Sequence, residues 1–160
     1  LFGAGQENGE RPGTENVIYS VALGEAFAMV GRDLRGYSNH MKAMRDRLES
    51  RILSNIPGTR INGHPEQRLP NTSSLSFEGL KANEILDSFE TIAASAGAAC
   101  HSASVTLSSV LVAMNVPIDF AMGTIRFSTG RHTTEEEIDT AADEVCRVVD
   151  LLTQGSLAEA

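Results

Sequence analysis

Cysteine is scarce in this sequence, which holds only Cys100 and Cys146 among its 160 residues. Two cysteines are too few for a disulfide scaffold, and their surroundings differ in kind, so both are predicted to be free thiols in a reducing compartment, the cytoplasm. Long apolar runs are absent as well, because no stretch approaches the length of a membrane span. The sequence therefore predicts neither a disulfide-stabilised module nor a membrane partner.

Positive charge is in deficit, since 13 Lys and Arg residues face 21 Asp and Glu residues for a net charge of −8. A nucleic-acid partner requires a basic face, so this balance argues against one. It fits a globular protein whose ligand is small and whose positive charge is concentrated locally. Apolar residues make up 41% of the chain, which is enough for a domain with a core.

A glycine-rich arm occupies residues 1–15, which hold four glycines and open on Leu1. This is a poor place for a natural protein to begin, so we expect a fragment of a longer chain. The composition favours an irregular backbone that approaches a ligand closely. Arg11 and Thr14 lie in the arm, where a guanidinium, a hydroxyl and free amides can meet a phosphate, although a plain loop is the default interpretation.

Apolar residues then recur at helical spacing and predict a linking helix over residues 16–35. The helical pattern continues to Ile52, either as one long helix or as two with a bend near Gly31 or Gly36. Residues 36–160 are predicted to form a domain of short strands interleaved with helices, which indicates an α/β or α+β layered fold.

Alternation of polar and apolar residues locates the strands of this domain. The predicted strands are residues 59–62, 71–77 and 123–129, and the predicted helices are residues 81–90 and 105–114. A last helix is expected after the run Thr133-Thr134-Glu135-Glu136, because a Thr followed three places on by Glu forms a capping box.

The segment around Cys100 is the first candidate for chemistry, since Ala, Gly and Ser flank the thiol and cannot wall it in. His101 and the start of a following helix can both lower the pKa of the thiol and raise its thiolate fraction. An inert cysteine in a tight turn is an equally good interpretation. Cys146, by contrast, lies on a helix beside apolar residues and is interpreted as a small core residue.

Arg126 is the second candidate, because it lies in the middle of a predicted strand while Ile125 and Phe127 point to the other face. A guanidinium there can hold a carboxylate with two parallel hydrogen bonds. Periodicity alone favours a solvated surface arginine. His40 and His64 have no partner at metal-ligand spacing, so no metal site is predicted.

Four segments together resemble the cysteine desulfurases and selenocysteine lyases, which belong to the class V aminotransferase group of fold-type I pyridoxal-phosphate enzymes. They are GAGQENGERPGTEN at 3–16, RLPNTSSLSF at 68–77, SAGAACHSAS at 95–104 and TIRFSTGRHTTEEEID at 124–139. The resemblance implies an α+β small domain, with a short and mainly antiparallel sheet packed against helices, and a long linking helix before it.

The resemblance also implies roles for four residues. Cys100 is the nucleophile that takes sulfur or selenium from cysteine or selenocysteine, leaving alanine, with a persulfide on Cys100 in the sulfur case. His101 beside it tunes protonation of the leaving chalcogen. Arg126 binds the substrate α-carboxylate. Thr14 reaches the phosphate of pyridoxal phosphate in the other subunit of a homodimer, and a sulfur-acceptor protein is a further expected partner, as in iron–sulfur cluster assembly.

The sequence departs from the family in two places. Ala4 replaces a glycine and Asn8 an arginine in the opening motif, and the Schiff-base lysine before the arm has no counterpart, since Lys42 and Lys81 lie in no matching motif. The large cofactor domain is thus expected to be missing and the chain alone to be inactive. Two alternatives stay open, a cofactor-free sulfur-carrier or interaction module using Cys100, and a degenerate homologue.

Overall fold

The computed structural model describes residues 2–97, 99–101 and 104–158, and the side chains of residues 99–101, 104–106 and 156–158 lie outside this description. The chain divides into two compact units, Leu1–Gly36 and Tyr37–Ala160, which are described here one at a time. Among the described residues, no helix combines the length and the apolarity needed to cross a membrane.

The first unit holds a 3-10 turn at Gln6–Gly9 and helix α1 at Val17–Arg32. Asn16 caps α1, since its side chain accepts a hydrogen bond of 3.2 Å from the amide of Tyr19. The helix ends before Asp33, whose backbone is not helical, with φ of −153° and ψ of 53°, and helix α2 begins at once and spans Leu34–Asn55. The helical stretch is therefore two helices that break between Gly31 and Gly36, as one of the two alternatives predicted.

The second unit is built on four strands that pair antiparallel in the order β1-β2-β6-β3. These are β1 at Arg60–Ile61, β2 at Thr72–Ser76, β3 at Ser95–Ala96 and β6 at Thr124–Ser128. Strands β4 at Ala99–His101 and β5 at Ser104–Thr106 form a separate hairpin. The helices between strands are α3 at Ala82–Asp87, α4 at Ser109–Ala113 and α5 at Ile118–Ala121, and α6 at Glu135–Ala158 follows the last strand. The predicted class is confirmed: helices pack on a short antiparallel sheet.

The two faces of the sheet differ in polarity because side chains alternate along each strand. One face is apolar, and its Leu75, Ile125 and Phe127 join a single buried cluster with residues of α2, α3 and α6. The helical members of that cluster include Met44, Leu48, Ile52, Ile85, Ile138, Ala142, Val145 and Val149. The opposite face carries serines, threonines and Arg126, so the candidate site lies on the side away from the core.

Helix α6 begins with a capping box, which Thr134 and Glu137 form one residue beyond the pair Thr133 and Glu136 of the predicted run. The amide of Thr134 donates to the carboxylate of Glu137 over 2.8 Å, and the amide of Glu137 donates back to the hydroxyl of Thr134 over 3.2 Å. Each bond satisfies a backbone donor that the first helical turn leaves unpaired. Further along α6, Ile138, Ala142, Val145 and Val149 form a stripe that is buried in the core.

The helix predicted over residues 105–114 is wrong in its first half. Val105 pairs with Cys100 in the β4–β5 hairpin, and helix α4 begins only at Ser109. Ser108 caps α4, because its hydroxyl accepts a hydrogen bond of 3.2 Å from the amide of Val110. Val105 and Thr106 are β-branched and favour a strand once a partner is beside them, which the local helical spacing does not reveal.

Candidate functional site

Arg126 lies on the exposed polar face of β6, in the middle of the sheet. Its direct neighbours in register are Ser74 on β2 and Ser95 on β3. Among the described residues it has neither an ion pair nor a hydrogen bond, whereas Arg47, Arg51 and Arg68 are each bound to a carboxylate. Arg126 is therefore a cation that the described part of the fold leaves available to an anionic ligand.

A cleft of about 690 Å³ opens beside Arg126. It lies between the polar face of the sheet and the N-terminal half of α4. Its lining comprises Asn62, Gly63, Ser74, Ala96, Gly97, Leu107, Ser108, Ser109, Val110, Leu111, Met114 and Arg126. Most of the described wall is small or apolar, and Arg126 is the one charged residue among those described, so the cleft has the mixture of an apolar surface and a few fixed polar groups that small-molecule sites share.

Buried polar side chains form a ladder beneath the cleft. The amide of Asn62 donates to the hydroxyl of Ser76 over 2.7 Å and to that of Ser74 over 3.3 Å. The hydroxyls of Ser76 and Thr124 are 2.7 Å apart, and Thr124 donates to the carbonyl of Phe120 over 3.0 Å. Because Asn62, Ser76 and Thr124 are at most 6% exposed, this ladder fixes the floor of the cleft in one arrangement.

Cys100 lies in the β4–β5 hairpin, where it pairs in register with Val105, and His101 pairs with Ser104. The side chains of both predicted catalytic residues are outside the described part, so no distance joins them to Arg126. The backbone still relates the hairpin to the cleft, because Gly97 before it and Leu107 after it both line the wall. The Cys100 hairpin is therefore flanked on both sides by residues that line the cleft with Arg126.

Gly97 has a steric reason to be glycine where it lines the cleft. Its amide donates to the carbonyl of Thr124 over 2.7 Å, which brings the two backbones close together. A Cβ atom at position 97 would lie 2.6 Å from the Cγ2 methyl of Thr124, closer than real Cβ contacts. The small residues that precede Cys100 thus include one that the packing against β6 requires.

Thr14, the predicted phosphate contact, is exposed in the first unit. Arg11 nearby is occupied, since its guanidinium donates to the carbonyl of Gly13 over 3.0 Å and also pairs with Glu15. The arm turns through left-handed backbone at Glu7 and Asn8, with φ of 49° and 56°. Asparagine tolerates this conformation better than the arginine that the family has there, so the departure at Asn8 suits the observed turn.

The two lysines do not provide a Schiff-base site for pyridoxal phosphate. Lys42 pairs with Asp46 over 2.6 Å and Lys81 pairs with Glu84 over 2.8 Å, both on the surface. Neither lysine lines the cleft with Arg126. Among the described residues, the cleft is lined by one unpaired cation, Arg126, and by no lysine.

Cys146 is a free thiol that packs against the core cluster, as predicted. Burial, together with the charges of Asp143 and Asp150, raises the pKa of this thiol above its ordinary value. A raised pKa keeps the sulfur protonated and a poor nucleophile. The second cysteine is therefore unsuited to the chemistry proposed for the first.

Sequence reasoning missed Asn62, Ser74 and Thr124 as members of the site. The alternation in β2 indicates that Ser74 and Ser76 share a polar face, but it does not tell which strand lies beside them. That information comes from the sheet order, which places β2 between β1 and β6. Asn62 follows a strand of two residues, too short to give a periodic signal.

Comparisons with known proteins place the chain in one family. Residues 4–140 match the family described as aminotransferase class-V. The chain is 44% identical over 154 residues to cysteine desulfurase 2 of Trichormus variabilis, covering 95% of this chain and 38% of that protein. It is 42% identical over 151 residues to cysteine desulfurase NifS of Azotobacter vinelandii, covering 93% of this chain and 38% of that protein.

Two solved structures have a fold similar to that of this chain. A NifS-like protein from Rickettsia africae matches with a TM-score of 0.80 at 28% identity, over 94% of this chain and 39% of that chain. Another NifS-like protein matches with a TM-score of 0.76 at 30% identity, over 96% and 38%. The chain thus spans about 38% of the length of the curated relatives it matches.

Proposed function

Because the chain belongs to the class-V aminotransferase family, we propose that it is the C-terminal part of a cysteine desulfurase, which removes sulfur from L-cysteine and releases alanine. One observation carries the proposal: Arg126, which has no partner among the described residues, lies in a cleft lined by Gly97 and Leu107, the residues that flank the Cys100 hairpin. A cation for a carboxylate and a thiol are the two groups that the reaction asks of this domain.

Arg126 is the substrate-binding residue in this proposal. Its guanidinium holds the α-carboxylate of cysteine through parallel hydrogen bonds, which orients the substrate with its sulfur toward the hairpin. The mixed wall of the cleft excludes water from part of the substrate and strengthens this charge pairing. Among the described residues no carboxylate competes for the guanidinium.

Cys100 is the nucleophile. Its thiolate attacks the substrate sulfur, so that a sulfur–sulfur bond forms and the bond between that sulfur and the Cβ atom of the substrate breaks. The electron pair of the broken bond stays with the Cβ side, which takes up a proton, and the substrate leaves as alanine. Cys100 retains the sulfur as a persulfide. His101, next in the strand, adjusts proton transfer at the sulfur.

Pyridoxal phosphate supplies, when bound, the electron sink that makes the bonds at the substrate carbon labile. Its lysine and ring contacts belong, in this proposal, to the part of the relatives' length that this chain does not span. Thr14 would hold the cofactor phosphate in the partner of a homodimer. A sulfur-acceptor protein then takes the persulfide sulfur from Cys100, and the reducing cytoplasm is the setting.

Alanine release tests this function. The longer protein that contains this chain is compared with Cys100→Ala and with Cys146→Ala, whose thiol packs against the core. We expect the first substitution to abolish release from cysteine and the second to leave it within about twofold, because only a thiolate at position 100 can take the sulfur.

Two outcomes would replace the proposal. Turnover of selenocysteine alone by the wild type would make the protein a selenocysteine lyase, an enzyme whose form of this loop the sequence Ala-Ala-Cys-His-Ser at 98–102 resembles. No alanine from either substrate, with cofactor bound, would leave the sulfur-carrier module or the degenerate homologue.

A further inference from the structure

The direction of the hydrogen-bond ladder beneath the cleft follows from its last member. The hydroxyl of Thr124 donates to the carbonyl of Phe120, which can only accept. Ser76 must then donate to Thr124, and the amide NH₂ group of Asn62 must donate to Ser76. The reverse orientation of the Asn62 amide would require the one proton of Ser76 to serve two acceptors, so the network assigns the amide its orientation.

The hydroxyl of Ser74 is a side branch of this hydrogen-bond network, and among the described residues its proton is not used. Its hydroxyl oxygen accepts the second N–H of Asn62 over 3.3 Å, but its own proton has no acceptor among the described residues. Ser74 is half-buried, lines the cleft and lies directly opposite Arg126 on the neighbouring strand. Side chains paired in this way are separated by about 5 Å at their Cβ atoms, within reach of one shared ligand group.

We propose that Ser74 donates a hydrogen bond to the same carboxylate that Arg126 binds, and that Asn62 is the positioning residue that keeps the Ser74 proton turned toward the cleft. This inference rests on the proposed function, since it names a second ligand for its substrate. Ser74 and Arg126 are both donors toward the cleft, so the pair selects a negatively charged group over a neutral or positively charged one.

The burial of Asn62 supports the positioning role. Its side chain is 6% exposed, and its buried carbonyl oxygen has no partner among the described residues, where only its NH₂ group holds the amide. Buried polar atoms that stay unpaired are rare and cost stability. The fold tolerates this unpaired carbonyl oxygen in an orientation of the Asn62 amide that directs both of its N–H bonds to the serines of β2.

The test is steady-state kinetics of the longer protein with Ser74→Ala, Ser74→Thr and the control Ser128→Ala. Ser128 lies on the same face of β6 and outside the cleft. For Ser74→Ala we expect KM for L-cysteine to rise about tenfold with kcat little changed, because a hydrogen bond to a charged group is lost from uniform binding. The other two variants should keep KM near that of the wild type.

Inhibition by cysteamine separates a carboxylate ligand from a general disturbance, since this amine thiol lacks the carboxylate of cysteine. Its inhibition constant should be the same for the wild type and for Ser74→Ala, while KM for cysteine differs. An unchanged KM, or equal weakening of cysteine and cysteamine, overturns the role of Ser74 and leaves the proposed function standing. A wild type that releases no alanine from cysteine overturns both.

Discussion

Arg68 and Arg126 differ in what their guanidinium groups bind. Arg68, which lies in the segment between β1 and β2, is paired, because its guanidinium binds both oxygens of buried Glu49 over 2.7 and 2.5 Å. These bonds raise the pKa of Arg68 above its ordinary value. Ser73 adds a third bond of 2.7 Å to the same carboxylate, so this ion pair is a closed part of the core. Arg126 differs in having no described partner.

Replacing Arg126 by Gln tests this contrast. We expect kcat/KM for cysteine to fall about a hundredfold, because glutamine cannot supply two parallel charged hydrogen bonds. The melting temperature should stay unchanged, since the side chain is exposed and no described partner loses a bond.

Arg60→Gln is the matched control, an exposed strand arginine that does not line the cleft. Equal losses of activity in the two variants would contradict the assignment of Arg126. A large drop in melting temperature for Arg126→Gln would show a structural role instead.

Helices α2 and α6 are joined by a ladder of charges on their solvent side. Arg47 donates twice to Asp139, over 2.8 Å in each bond, and Arg51 contacts Asp139 over 2.9 Å. The hydrogen bonds from Arg47, followed by those from Arg51, lower the pKa of Asp139 from 3.8 to about 2. A carboxylate with a depressed pKa stabilises the folded state only while it is ionised.

Acid unfolding follows from this shift. The stabilisation by Asp139 is fully present above pH 3.8 and is lost as the pH falls toward about 2, where the folded state also becomes protonated. Asp139→Asn should therefore lower the melting temperature at neutral pH, and the difference from the wild type should vanish across that window.

Thermal unfolding of both proteins from pH 7 to pH 2 measures the effect. Asp150→Asn serves as the control, because Asp150 lies exposed on the same helix and has no ion pair among the described residues. If the melting temperatures of the wild type and Asp139→Asn differ by the same amount at every pH, the ion pairs of Asp139 are not the source of this pH dependence.

Element boundaries could be predicted where a local signal exists. The capping box at Thr134 and the stripe of α6 are written in consecutive residues, and both are found, the box one residue beyond the predicted pair. The β4–β5 hairpin was missed, because Val105 at helical spacing from later apolar residues gives the same signal as a strand that pairs with Cys100. Pairing with a distant segment decides between the two, and local spacing does not contain it.

The assembly of the whole second unit explains why only part of the site was predictable. Motifs in four segments identified the family, and the comparisons confirm it. Arg126 was singled out by alternation within its own strand. Asn62 and Ser74 reach it only through the sheet order β1-β2-β6-β3, which joins segments more than 50 residues apart. The roles of Thr14, Cys100, His101 and Arg126 remain predictions.

The surface that the apolar face predicted for residues 16–35 packs against also cannot be identified from the helix alone. Helix α1 has apolar residues along its length, yet none of its side chains is buried in the described structure. The helical spacing was predicted correctly. What such a face packs against is information that a periodic pattern does not hold.

Mapping the transferred sulfur tests the central claim most directly. The longer protein is incubated with L-cysteine without an acceptor, digested, and its cysteine peptides are weighed by mass spectrometry. The account predicts that the peptide with Cys100 gains the mass of one sulfur atom and that the peptide with Cys146 gains none, since the pKa of that thiol is raised. Sulfur on Cys146 alone, or on neither peptide while alanine accumulates, would contradict the assignment of Cys100 as the nucleophile.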